Sequence, residues 1–190
     1  MKNIAVFASG RGSNFQAIAE AVRAGKIKAH LALLLSDQPD ALVLKKAKKF
    51  GVKIALVKRE DFLSRDAFEA KIIEHLEAGK IDLIVLAGFM RVLGVKLINA
   101  YRNKIINIHP ALLPSFKGAQ AIKDAFDYGV KITGVTVHFV DELMDHGTII
   151  LQQALEIEEG DTKVSLEKKI HAIEHKLYAQ AINKVISRPR

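Results

Sequence analysis

Asn107-Ile108-His109-Pro110-Ala111-Leu112-Leu113-Pro114 comes directly after the apolar run Lys104-Ile105-Ile106. A short buried strand there would deliver an amide and an imidazole into a turn stiffened by two prolines. Strand side chains alternate, so Asn107 and His109 project to one side, roughly 7 Å apart by the rise per residue. An amide can stabilise an oxyanion and an imidazole can move a proton. Taken alone, the segment is equally compatible with a capping Asn and a satisfied loop His. A candidate third member lies in Asp141-Glu142-Leu143-Met144-Asp145-His146-Gly147. Parallel-sheet topology would carry Asp145 across to His109, where the carboxylate would hold the imidazole and favour its charged form.

Ser9-Gly10-Arg11-Gly12-Ser13-Asn14 offers a different chemistry. Glycines at a strand-to-helix junction permit a tight turn whose free N–H groups suit a phosphate. Gly10 and Gly12 match the first two positions of the dinucleotide fingerprint, but Phe15 occupies the third, which needs a small residue. Asp37 lies near where a ribose-binding acid would be, so a dinucleotide site remains an alternative. So does an ordinary turn capped by Ser13 or Asn14. His171-Ala172-Ile173-Glu174-His175 spells the pattern of inverted zinc peptidases. Such sites need a third protein ligand, usually acidic, and no Asp or Glu follows Glu174, so no metal is expected. His171, Glu174, His175 and Tyr178 read instead as a polar stripe facing ligand or solvent.

The elements that must position these residues alternate. Apolar runs at 4–8, 31–35, 54–57, 81–87 and 105–108 are separated by helix-period stretches at 14–24, 41–50, 65–78 and 95–101. This rhythm predicts an α/β, doubly wound, mostly parallel sheet with ligands beyond the carboxyl ends of its strands. After a helix near 119–128, segments 133–140 and 148–157 favour strand and predict an antiparallel pair in the C-terminal part. In the first of these, Val135, Val137 and Phe139 would face the core, with Thr136 and His138 on the other side. Leu166, Ile170, Ile173, Leu177, Ala181 and Val185 trace one face of a closing helix.

The 190 residues suit a single domain, 1–190, with a full core and no staples. Cysteine is absent, the apolar part of the N-terminus is too short for a signal peptide, and no run approaches membrane-spanning length, so a cytoplasmic enzyme is expected. The net charge of +8 favours anionic ligands. Lysines such as Lys45, Lys46, Lys48 and Lys49 read as a solvated helix face with little aromatic interleaving, which argues against nucleic acid.

The glycine loop, Leu86-Ala87-Gly88-Phe89-Met90-Arg91, the Asn107 to Pro114 segment and His138 through Asp145 occur in an order that closely resembles the phosphoribosylglycinamide formyltransferase family of purine biosynthesis. That family belongs to the wider group of formyltetrahydrofolate-using enzymes. The resemblance implies transfer of a formyl group from 10-formyltetrahydrofolate, as co-substrate, to the amine of glycinamide ribonucleotide, without a metal. It implies a catalytic trio of Asn107, His109 and Asp145. Gly12, Ser13, Asn14 and Glu174 would bind the ribonucleotide. Arg65, Met90, Arg91, Val92, Leu93, Asn107 and the Asp141, Glu142, Leu143, Met144, Asp145 loop would bind the folate. Partners would be small molecules, with no nucleic acid or membrane, and the state a monomer or homodimer. Two departures stand out. Asp145-His146-Gly147-Thr148 lacks the proline common in relatives, implying a less rigid loop, and Phe116-Lys117-Gly118-Ala119 lacks another, leaving its local shape open. Rival readings are a tRNA formyltransferase, a formyltetrahydrofolate hydrolase and a non-catalytic nucleotide-binding module. The first two usually carry an extra domain for which a chain ending at Arg190 leaves no room.

Overall fold

The computed structural model describes residues 1–187. Its strands are β1 Lys2–Phe7, β2 Ala29–Ser36, β3 Lys53–Leu56, β4 Leu83–Leu86, β5 Ile105–His109, β6 Ile132–Phe139 and β7 Ile149–Glu156. They form one sheet in the order β3-β2-β1-β4-β5-β6-β7. Pairing is parallel from β3 to β5 and antiparallel at β5–β6 and β6–β7. The helices are α1 Ser13–Arg23, α2 Leu42–Phe50, α3 Arg65–Ala78, α4 Val95–Ala100, α5 Ala121–Tyr128 and α6 Lys163–Ile186. The sequence rhythm thus finds each strand and helix; a short 3-10 turn at Arg59–Asp61 was not anticipated. No helix among the described residues is long and apolar enough to cross a membrane.

The central strands are apolar throughout because both faces are covered. Ile4 and Val6 of β1 face α1, α2 and α6, whereas Ala5 and Phe7 face α3 and α4. The strand order reverses between β1 and β4, the position at which sheets of this kind gather ligands beyond their carboxyl ends. On α6, Leu166, Ile170, Leu177 and Ala181 are buried as expected, while Ile173 and Val185 only flank the core. The polar stripe does not simply face ligand or solvent. Tyr178 is fully buried, and its hydroxyl donates to the carbonyls of Leu86 (2.6 Å) and Ile106 (3.1 Å), pinning α6 to the rim between β4 and β5.

The acidic loop reaches His109 by a route other than a parallel crossover. Because β6 runs antiparallel to β5, with Phe139 opposite Ile106, its carboxyl end points away from the rim where β1, β4 and β5 finish. The hairpin loop must therefore curl back over the sheet. It is closed tightly by the Phe139 N–H, which donates to the Thr148 carbonyl at 2.9 Å. Gly147 is required there, since a Cβ would overlap the Phe139 carbonyl.

Candidate active site

Asn107 and His109 point to the same side of β5, as alternation requires, and their antiparallel partners are His138 and Thr136. His138 is buried, and its Nδ1–H donates to the Phe139 carbonyl at 2.8 Å. Nε2 is then the acceptor, lying 3.2 Å from the Asn107 amide nitrogen. Burial pushes the His138 pKa down, against its carbonyl bond and Asp145, so the ring stays neutral and keeps that acceptor. One N–H of Asn107 is thereby fixed, leaving the other N–H and the amide oxygen for a ligand. Sequence reasoning put His138 on the strand face opposite Val135, Val137 and Phe139 without giving it this role, which follows from its pairing with Asn107 across the β5–β6 ladder.

His109 is 3% exposed. Its Nε2–H donates to the Phe116 carbonyl at 2.7 Å, and its Nδ1 faces Asp145 Oδ2 at 3.5 Å. Both ring nitrogens thus face acceptors. Asp145 also lies 3.8 Å from His138 Nε2 and accepts the Gly118 N–H at 2.9 Å. That anchor accompanies a left-handed backbone at Asp145 (φ 49°), a conformation costing about 1 kcal/mol for most residues. The trio therefore converges. Phe116 is left-handed too (φ 51°), so the Phe116-Lys117-Gly118 turn supplies both a carbonyl to His109 and an N–H to Asp145.

A hydroxyl that the sequence did not flag positions the His-Pro segment. Thr136 Oγ1 donates to the Ala111 carbonyl (2.7 Å) and accepts from the Leu113 N–H (3.0 Å) and the Gln152 amide (3.0 Å). Thr136→Val leaves these buried groups without their partner. It should lower unfolding free energy by about 1–3 kcal/mol in urea titrations; an unchanged midpoint would mean that the turn holds itself.

Of the acidic loop, only Asp145 turns inward. Asp141 pairs with His146 (2.8 Å), Glu142 with Arg102 (3.5 Å), and Leu143 and Met144 are exposed. Burial acts to raise the Asp141 carboxyl, but the His146 bond carries it below the usual range. The loop is thus tied from Asp141 to His146.

Of the folate residues expected outside that loop, Arg65, Met90, Arg91, Val92 and Leu93 gather with Phe89 at a cleft of about 350 Å³, whereas Asn107 does not line it. Met90 and Val92 are exposed. Arg65 donates to the Val92 carbonyl at 2.6 Å and pairs with buried Glu69 at 3.3 Å. Glu69, unmarked in the sequence reading, accepts N–H groups from Gly94 and Leu97 and so fixes the start of α4 beneath this lip.

The glycine loop starts α1 at Gly12, which is left-handed (φ 69°), and no side chain caps the helix. The capping role considered for Ser13 or Asn14 is therefore not used. A Cβ on Gly12 would overlap Val43 of α2, so the close packing of α2 demands glycine. On the same helix, Lys46 Nζ donates to the Gly12 carbonyl at 3.3 Å. This lysine belongs to the loop and not to a solvated charged face. Asn14 donates to Glu174 Oε2 (3.1 Å), which also takes His171 Nδ1–H (2.8 Å). Its bond to Glu174 raises the His171 pKa. Asn14 Oδ1 and His175 Nε2 are buried atoms without a hydrogen-bond partner among the described residues. The dinucleotide alternative loses its acid: both oxygens of Asp37 are engaged, by Ser9 on one side and by Arg91 and Gln38 on the other.

The pattern that defines the formyl transferase family matches residues 2–182. The chain is 47% identical over 186 residues to phosphoribosylglycinamide formyltransferase of Bacillus subtilis (strain 168), covering 98% of this chain and 95% of that one. Its fold superposes with a TM-score of 0.95 on the crystal structure of phosphoribosylglycinamide formyltransferase from Bacillus halodurans, at 43% identity, covering 98% of this chain and 96% of the other. For glycinamide ribonucleotide transformylase 1 from Geobacillus kaustophilus the TM-score is 0.94 at 46% identity, covering 98% of both chains.

Proposed function

The chain belongs to the formyl transferase family, and from that premise we propose that it transfers the formyl group of 10-formyltetrahydrofolate to the amine of glycinamide ribonucleotide, acting in de novo purine biosynthesis. The convergence of Asn107, His109 and Asp145 is the observation that carries the mechanism. The substrate amine attacks the formyl carbon, and the carbonyl oxygen becomes an oxyanion that meets the free Asn107 N–H and His109. The carbon–nitrogen bond to the folate then breaks. One proton leaves the attacking amine and one reaches the departing folate nitrogen, through His109, Asp145 or water. For His109 to meet the oxyanion through Nε2, the turn at Phe116 must release that nitrogen.

Two half-sites support the substrates. The uncapped start of α1, with Gly12, Ser13, Asn14 and the nearby ammonium of Lys46, suits a phosphomonoester. Glu174, beside Asn14, suits the glycinamide ribonucleotide's donors. The cleft at Arg65 and residues 90–93, rimmed by exposed apolar side chains, suits a folate ring. Release of tetrahydrofolate should require glycinamide ribonucleotide; release without it would make the protein a hydrolase, and none with it would leave only binding. Alanine at both Ser13 and Asn14, or methionine at Lys46, should raise the ribonucleotide KM by on the order of tenfold, the factor for a lost charge-assisted contact, and leave kcat nearly unchanged. An unmoved KM would place the phosphate elsewhere.

A further inference from the structure

We propose that Asp37 and Arg91 form a strut holding the phosphate loop and the folate lip in one register, so that Asp37 is a positioning residue for both substrates. This rests on the two half-sites assigned above. The register between β1 and β4 ends at Phe7 and Leu86, and the two loops lead on from there. Ser9 ties them together: its N–H donates to the Gly88 carbonyl at 3.0 Å, and its Oγ accepts the Met90 N–H at 3.0 Å. The Ser9 hydroxyl in turn donates to Asp37 Oδ1 at 2.6 Å. Asp37 Oδ2 accepts Arg91 Nε at 2.6 Å and the Gln38 amide at 3.0 Å.

A carboxylate with a side chain 1% exposed is costly to keep unless fully partnered, and here its partners come from both substrate loops. Ser9 leads straight into the glycine turn of the phosphate loop, and Met90 and Arg91 form the lip of the folate cleft. The Arg91 guanidinium is therefore turned to Asp37. A displacement of either loop strains the same charge-assisted bonds, which makes the strut common to both substrates.

Asp37→Asn keeps an acceptor for Ser9 but removes the charge that holds Arg91; Arg91→Met removes the guanidinium. Each variant should raise the KM for glycinamide ribonucleotide and for 10-formyltetrahydrofolate together, on the order of tenfold, the equivalent of one charge-assisted hydrogen bond, with kcat little changed. The double variant should be no worse than the worse single, since both break one strut. A KM change confined to one substrate, losses that multiply in the double variant, or a fall in kcat with both KM values intact would overturn the proposal; the last is the mark of a merely structural defect. Should Asp37→Asn not fold, Arg91→Met, at a side chain 36% exposed, carries the same two-substrate comparison. Failure of the underlying assignment reads differently: the wild-type protein then forms no formylated ribonucleotide, or alanine at Ser13 and Asn14 leaves the ribonucleotide KM unmoved.

Discussion

His109→Ala should reduce kcat by about 10² to 10⁴, the usual worth of a positioned acid–base group, with little change in either KM. The ring is nearly sealed from solvent and lies between the Asp145 carboxylate and the Phe116 carbonyl, so its removal takes away a proton carrier held in a fixed position. Circular dichroism should remain that of the parent fold, because β5 keeps its ladder bonds to β4 and β6. Normal turnover in a folded variant would remove His109 from the chemistry.

Asn107→Ala should lower kcat by about 10² to 10³, the loss typical of one oxyanion donor. The effect is tied to pH through His138. That ring accepts an Asn107 N–H only while neutral, and burial holds its pKa below the ordinary 6.5. Its help is therefore complete above 6.5 and is lost as pH falls through the lowered value, where a protonated Nε2 would confront the amide as a second donor. The kcat profile of the wild-type protein should carry an acid limb below 6.5 that weakens in His138→Asn. An acid limb unaltered by that substitution would assign it to another group.

The local sequence carried much of this account, because strand alternation and helix period are local properties. Asn107 and His109 share a face for the same reason, and Gly12 announces a turn by its chemistry. What escaped depends on neighbours remote in the chain. Lys46 looked like one lysine in a charged run until the close packing of Val43 on Gly12 brought its helix to the glycine loop. His138 acquires its role only from the β5–β6 register, and Glu69 only from the way α3 lies against the start of α4. The approach of Asp145 was anticipated by the wrong route, because the direction of β6 relative to β5 is not written in either strand.

The His109→Ala/Asp145→Ala double variant tests the working unit most directly, by its kcat for formyl transfer beside those of the two singles. If the carboxylate acts by holding the imidazole in place, removing it from a protein that already lacks the ring adds little, and the double variant turns over about as slowly as His109→Ala. A double variant slowed by the full product of the two single losses would mean that the two side chains act independently, and the proposed convergence on one reacting carbon would be wrong.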